Sequence, residues 1–246
     1  MTEFDFNNQN VVVVGGSTGI GNAMAQAFRA HGASVHVTGT RSSPSEYSDA
    51  DVADLTGLSY SQLDCSDPNA VRNWSLALPT LKVLICCQGA TKEGRAEFEH
   101  DTFREIVEIN LNASIDCCEK FRAALVAAKG NVILVSSVAA FRTLRHQPAY
   151  TASKSAILGL TRALAASYIT EGVRVNGIAP GLVATKMSQT LVSNPDYLSA
   201  ALRTIPIRRP AAPSELAGAA LFLASSLASY VVGHTLIVDG GMMSAP

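Results

Sequence analysis

Seven short runs rich in β-branched residues, at 11–14, 35–38, 60–63, 83–86, 131–135, 173–178 and 235–238, alternate along the chain with helix-like stretches. Parallel strands need a crossover of a dozen or more residues between them, normally a helix, and buried parallel strands read as continuous apolar runs. The alternation therefore predicts an α/β, doubly wound, seven-stranded and mostly parallel sheet with helices on both faces. Asp67 before Pro68, and Asp101 before a helix beginning near Phe103, read as helix caps, while Gly32 and Gly172 read as helix stops. Right-handed crossovers would gather the carboxyl ends of the strands along one edge, where ligands bind in such sheets. A length of 246 residues suits one domain over 1–246.

Several function classes are excluded by composition. The net charge of -1 gives no electrostatic reason for a nucleic-acid or anionic-membrane partner. The start of the sequence has no basic region leading into an apolar stretch, so no secretion signal is expected. Residues 216–238 carry no formal charge over 23 positions, but Ser225, Ser226, Ser229, Gly233 and His234 interrupt them. A helix ending near Leu227, a turn and a buried strand at 235–238 account for that stretch without a membrane. The five cysteines suit a reducing, cytoplasmic setting. Cys86-Cys87 and Cys117-Cys118 do not have the spacing of a metal site, so no metal is expected.

Gly15, Gly19 and Gly21 directly follow the first strand, in Gly15-Gly16-Ser17-Thr18-Gly19-Ile20-Gly21. Glycines there let the backbone turn tightly and approach a pyrophosphate, and the helix that follows offers unpaired amides to its charge. The second strand ends near Gly39 without an Asp or Glu to grip both ribose hydroxyls. Arg41, with Ser42 and Ser43 beside it, suits a ribose 2′-phosphate instead, which favours NADP(H) over NAD(H). Asp64 and the amide of Cys65 follow the third strand, where they either contact adenine or form an ordinary turn. Residues 41–59 read as a loop with one short helix, and residues 186–213, broken by Pro195, Pro206 and Pro210, read as a substrate lid.

In the second half, Tyr150 and Lys154 stand four residues apart, on one helix face. A phenol near pKa 10 is a poor base at neutral pH, and an adjacent ammonium favours its phenolate. Ser137 ends the preceding strand, from which its hydroxyl can hold a carbonyl or alkoxide oxygen. Asn110, on the long central helix, can orient a water that links Lys154 to solvent.

With these motifs in this order, the chain resembles the short-chain dehydrogenase/reductase superfamily, in the style of bacterial 3-oxoacyl-acyl-carrier-protein reductases. The likeness runs from the glycine string through Asn110, Ser137, Tyr150-Thr151-Ala152-Ser153-Lys154 and Arg174-Val175-Asn176-Gly177-Ile178-Ala179-Pro180-Gly181 to Val238-Asp239-Gly240-Gly241. It implies a Rossmann-like fold and direct hydride transfer between a nicotinamide and a carbonyl carbon. Tyr150 would serve as general acid or base, Lys154 would lower its pKa and hold the nicotinamide ribose, Ser137 would bind substrate oxygen, and Asn110 would support a proton relay. Pro180, Gly181 and Val183 would frame the nicotinamide, and Thr185 would meet its carboxamide.

The family usually carries an Asn-Asn-Ala-Gly-like string after the fourth strand, where this chain has Cys86-Cys87-Gln88-Gly89. Gln88 and Gly89 are thus expected beside the cofactor. Val138, Phe141, Leu144, Leu182 and Met187, with His146 and Gln147 as polar contacts, are expected around a small to medium, cyclic or aromatic substrate. A 3-oxoacyl thioester on carrier protein is the alternative substrate, drawn by Arg122, Lys129, Arg142, Arg145, Arg208 and Arg209. A nucleotide-binding regulator or structural subunit is the alternative outside catalysis. The resemblance also implies a homotetramer, with a dimer next.

Overall fold

The computed structural model describes residues 4–48, 51, 53–142 and 144–244. Seven strands, β1 (Asn10–Val14), β2 (Ser34–Gly39), β3 (Ser59–Gln62), β4 (Val83–Cys86), β5 (Asn131–Val135), β6 (Arg174–Pro180) and β7 (Thr235–Val238), form one sheet. Their order is β3-β2-β1-β4-β5-β6-β7. Every pairing is parallel, with Val14 beside Cys86 and Val135 beside Ile178. This is a Rossmann-like sheet, and its order reverses between β1 and β4, so the loops leaving those two strands diverge and open a crevice.

Alternate residues of each strand feed two apolar layers. On one face, Val12, Val14, Leu84, Cys86 and Leu134 pack against Trp74, Phe121, Leu125 and Ile157. On the other, Val11, Val13, Ile85 and Ile133 pack against Met24, Phe28, Leu216 and Leu221. The second face is covered by α1 (Gly19–Ala30) and α8 (Pro213–Ala224). The first is covered by α2 (Ala70–Asn73), α4 (Ala113–Ala128) and α5 (Pro148–Tyr168).

Several local expectations shift. Asp67 accepts from the Asn69 amide and organises a turn, and α2 starts only at Ala70. Asp101 lies inside α3 (His100–Val107), whose cap position is Glu99, so it meets the helix dipole from the first turn. The long central helix is interrupted by a π-helical turn at Glu108–Asn112, which separates α3 from α4. α8 stops at Ala224 rather than near Leu227, because Ser225 leaves helical geometry and accepts from the Leu227 amide. β7 is an edge strand, only half-buried, and Ile237 stands 38% exposed.

Cys86 and Cys87 point into opposite apolar layers, as adjacent residues at a strand end must. Among the described residues, no helix is long and apolar enough to cross a membrane.

Candidate active site

A cleft of about 850 Å³ runs along the carboxyl edge of the sheet, from the glycine loop after β1 to the segment after β6. At its first end the chain leaves β1 through Gly15, whose φ of +72° favours glycine. A Cβ there would lie 2.7 Å from the Gln88 backbone, and one on Gly21 would lie 2.3 Å from the Gly15 carbonyl. The loop is thus pressed against its neighbours with no room for side chains. Thr38 pins it, accepting from the Gly15 amide at 3.1 Å through its hydroxyl and from the Ser17 amide at 3.2 Å through its carbonyl.

α1 begins at Gly19 with no side chain capping it and no acid in its first turn, so its leading amides face the cleft unopposed. Ser17, Thr18, Gly19, Ile20 and Gly21 line this end, with Asp64, Cys65, Gln88 and Gly89 beside them. Asp64 also accepts from Ser66, so it holds a turn while edging the cleft. The Thr185 methyl faces Gly19, 3.3 Å from where a Cβ would sit. A narrow glycine floor, free helix amides and a wall of small groups fit a dinucleotide.

Arg41 and Ser42 do not line the cleft. The Arg41 guanidinium makes a two-pronged pair with Asp51, both contacts at 2.8 Å, and lies over the Tyr47 ring. Lys186 reaches the same carboxylate at 3.1 Å from the far side of the cleft. Hydrogen bonds from Arg41, Ser48 and Lys186 hold the Asp51 carboxyl far below the usual carboxylate range. Ser42 donates to Glu46.

At the other end of the cleft, β5 delivers Ser137 and the first turn of α5 delivers Tyr150, with Lys154 one turn on. Lys154 is 4% exposed, and its Nζ donates to the Val135 carbonyl at 2.9 Å. Burial pulls its pKa down to about 8, against the pull of Cys87 and Cys86. The ammonium lies 5.9 Å from the centre of the Tyr150 ring.

The sequence led us to expect a phenol lowered by this lysine. Instead, the Tyr150 phenol is raised, chiefly by burial, with Ser137 opposing and Cys87 and Glu97 adding to the rise. Lys154 does not counter that burial, its ammonium being turned onto the Val135 carbonyl. Ser137 is buried, and its hydroxyl also accepts from the Ala139 amide at 3.1 Å.

Asn110 sits in the π-helical turn and is 1% exposed. Its amide grips Ala90 on both sides, accepting from the nitrogen at 2.7 Å and donating to the oxygen at 3.0 Å, and it also donates to Ser153 at 3.0 Å. The side chain is therefore a clamp on the loop after β4.

A model described as "Enoyl-(Acyl carrier protein) reductase" matches residues 14–243. The 3-oxoacyl-acyl-carrier-protein reductase of Chlamydia muridarum is 32% identical over 243 residues, covering 96% of this chain and 97% of that protein. The 2-dehydro-3-deoxy-D-gluconate 5-dehydrogenase of Bacillus subtilis is 31% identical, covering 98% and 97%. An Agrobacterium tumefaciens protein solved with bound NADP superposes with a TM-score of 0.88 at 31% identity, over 99% of this chain and all of that one. The chain is a short-chain dehydrogenase/reductase. It is accordingly a nicotinamide-dependent enzyme acting on a carbonyl/alcohol pair.

In this short-chain dehydrogenase/reductase, Pro180, Gly181, Leu182, Val183, Thr185 and Met187 form the wall opposite Tyr150. Val138, Leu144 and Gln147 also line the cleft. Phe141 and His146 do not line it, and Phe141 stands 43% exposed directly after a short 3-10 helix at Val138–Ala140. Gln147 donates to the Thr91 hydroxyl at 2.8 Å. Residues 186–213 fold into a 3-10 turn, α6 (Gln189–Val192) and α7 (Pro195–Leu202), and bring Thr190, Leu191 and Tyr197 to the cleft.

Sequence reading missed Glu97, a fully buried carboxylate behind Tyr150. It also missed Asp51. Glu97 stands in an acid-rich stretch with Glu93, Glu99, Asp101 and Glu105, and nothing local marks it as the one that turns inward.

Proposed function

We propose that this enzyme interconverts a ketone and a secondary alcohol with NADP(H), and that Tyr150 moves the proton. The carrying observation is that Tyr150, Ser137 and Lys154 meet at one end of a cleft whose other end is a dinucleotide cradle. In reduction, Ser137 holds the substrate oxygen and Tyr150 protonates it; in oxidation the phenolate removes that proton. The bound nicotinamide supplies or accepts the hydride. Lys154 has a neighbouring carbonyl as its resting partner and can turn its ammonium toward a ribose or phenolate when one arrives.

NADP(H) is favoured over NAD(H) because β2 ends at Gly39 without an acid and Arg41 stands two residues on. A 2′-phosphate there competes with Asp51 for the guanidinium. NADP is also the ligand in the Agrobacterium structure.

The substrate is a small to medium ring compound, since Val138, Leu144, Leu182, Leu191 and Tyr197 form an apolar sleeve closed by residues 186–213 as a lid. Carrier-protein docking has less support. Arg122 and Arg209 are paired with Glu171 and Glu215, and Arg208 is held by the carbonyls of Leu202 and Arg203. The chain functions as one domain over 1–246 in the cytoplasm, and half-buried β7 with exposed Ile237 suits burial in a homotetramer, or failing that a dimer.

Tyr150→Phe tests the mechanism. Turnover of a cyclic ketone with NADPH should fall by about a hundred- to ten-thousandfold, while NADPH titration gives unchanged affinity. Turnover near the native rate refutes the assignment.

A further inference from the structure

We propose that Glu97 is a positioning residue for Tyr150: its buried carboxylate ties the first turn of α5, and with it the phenol, to the loop after β4 that walls the same cleft. The proposal rests on the reading of Tyr150 as the proton donor and acceptor.

Glu97 sits in a one-turn 3-10 helix at Ala96–Phe98, between an exposed Phe98 and a stretch of surface acids, yet it is 0% exposed. One carboxylate oxygen accepts from the Thr91 hydroxyl at 2.7 Å and from the Lys92 amide at 3.0 Å. The other accepts from the Tyr150 amide at 2.9 Å. That amide is one of the leading groups of α5, which has no internal partner in the helix and draws no cap from its own cap residue, Gln147. Gln147 instead donates to Thr91, closing a ring of contacts from the β4 loop to the helix start.

The carboxylate is held by dipoles alone. Among the described residues no cation pairs with it, and the ammonium of Lys92 goes to Glu105 at 3.6 Å. A buried charge without a counterion is costly unless donors surround it, and the positive end of a 21-residue helix is a favourable place for one. A structural link could have been made with a neutral group. An acid in this place adds a negative charge behind a phenol that must ionise.

The groups facing Tyr150 are Lys154 on its own helix, Cys87 at the end of β4, Ser137 at the end of β5 and Glu97. Burial does most to keep the proton on the tyrosine, Ser137 opposes it, and Cys87 and then Glu97 add to it; Glu97 is the carboxylate in the set. The contact that positions Tyr150 thus also adds to its proton affinity.

The test uses full-length enzyme with NADP and cyclohexanol as probe, and ring-13C-tyrosine NMR of the ligand-free protein, with the Tyr150 signal assigned through Tyr150→Phe. Glu97→Gln keeps the size and removes the charge. The Tyr150 titration and the rising limb of kcat/KM should move to lower pH by about half a unit or more. Glu97→Asp keeps the charge but shortens the reach, so kcat should fall about tenfold with the limb and the NADP affinity unmoved. Thr91→Val removes two hydrogen bonds, the hydroxyl's to Glu97 and Gln147's to the hydroxyl, without removing a charge, and should leave the titration in place.

A Glu97→Gln titration that coincides with wild type overturns the proposal. If that variant does not fold, Glu97→Asp with native kcat overturns it. Native turnover in Tyr150→Phe would instead overturn the assignment of the proton donor, independently of where Tyr150 titrates.

Discussion

Replacing Lys154 with methionine should make the enzyme more stable at neutral pH while removing its activity. The side chain is 4% exposed, and burial lowers its pKa from 10.5 to about 8. Between those pH values the unfolded chain holds a proton that the folded lysine has released, so the stability attached to this group rises with pH across that window. Below pH 8 both states are protonated and the folded state carries the full cost of the buried ammonium. A difference of about 2.5 units corresponds to about 3 kcal/mol. Lys154→Met removes that cost but strands the Val135 carbonyl, which takes back about 1 kcal/mol. The variant should then gain about 2 kcal/mol at pH 7, or roughly 4–8 °C in Tm, and the gain should vanish toward pH 10. Urea unfolding, followed through the single buried Trp74 at one protein concentration, measures this directly. A less stable variant at pH 7, or a gap that ignores pH, would refute the reasoning.

Two further outcomes follow from contacts around the cleft. Asn110→Ala cuts three hydrogen bonds, two of them to the backbone of Ala90, and should lower stability by about 2–3 kcal/mol together with turnover, as read by urea unfolding and steady-state rates; native turnover would show that the clamp is dispensable for chemistry. Asp51→Asn should raise the NADPH-to-NADH ratio of kcat/KM, because Arg41 loses the carboxylate that competes with a 2′-phosphate, and Arg41→Ala should lower that ratio.

What the sequence disclosed depended on the range over which each signal acts. Strands came through because a parallel sheet buried on both faces demands unbroken apolar runs, as in residues 83–86. The glycine turn after β1 and the placing of Tyr150 and Lys154 on one helix were legible because both are set by spacing of a few residues. The direction of Lys154 was not, since it depends on a carbonyl of β5, nineteen residues away in sequence. Arg41 follows the second strand, but its resting partner was not legible, because Asp51 lies in an irregular loop with no periodicity to place it. Phe141 and His146 fall outside the cleft lining, in a short stretch with no periodic pattern to place them. Glu97 was invisible because inward and outward acids look alike until the fold exists.

The sheet order has a consequence for how the molecule assembles in time. Strands β4 to β7 lie in sequence order, as do β1 to β3 counted outward, so each wing grows by adding the next crossover unit. The joint between the wings sets Val11 beside Val83, the pairing of longest sequence separation, which costs up to about 1 kcal/mol more chain entropy to close than the shortest one. Gly15 presses on Gln88 at that joint, so the floor of the cleft takes shape only when the two wings have met. A dinucleotide lying across it would act as a staple, slowing the parting of the wings and rewarding only chains that have completed them.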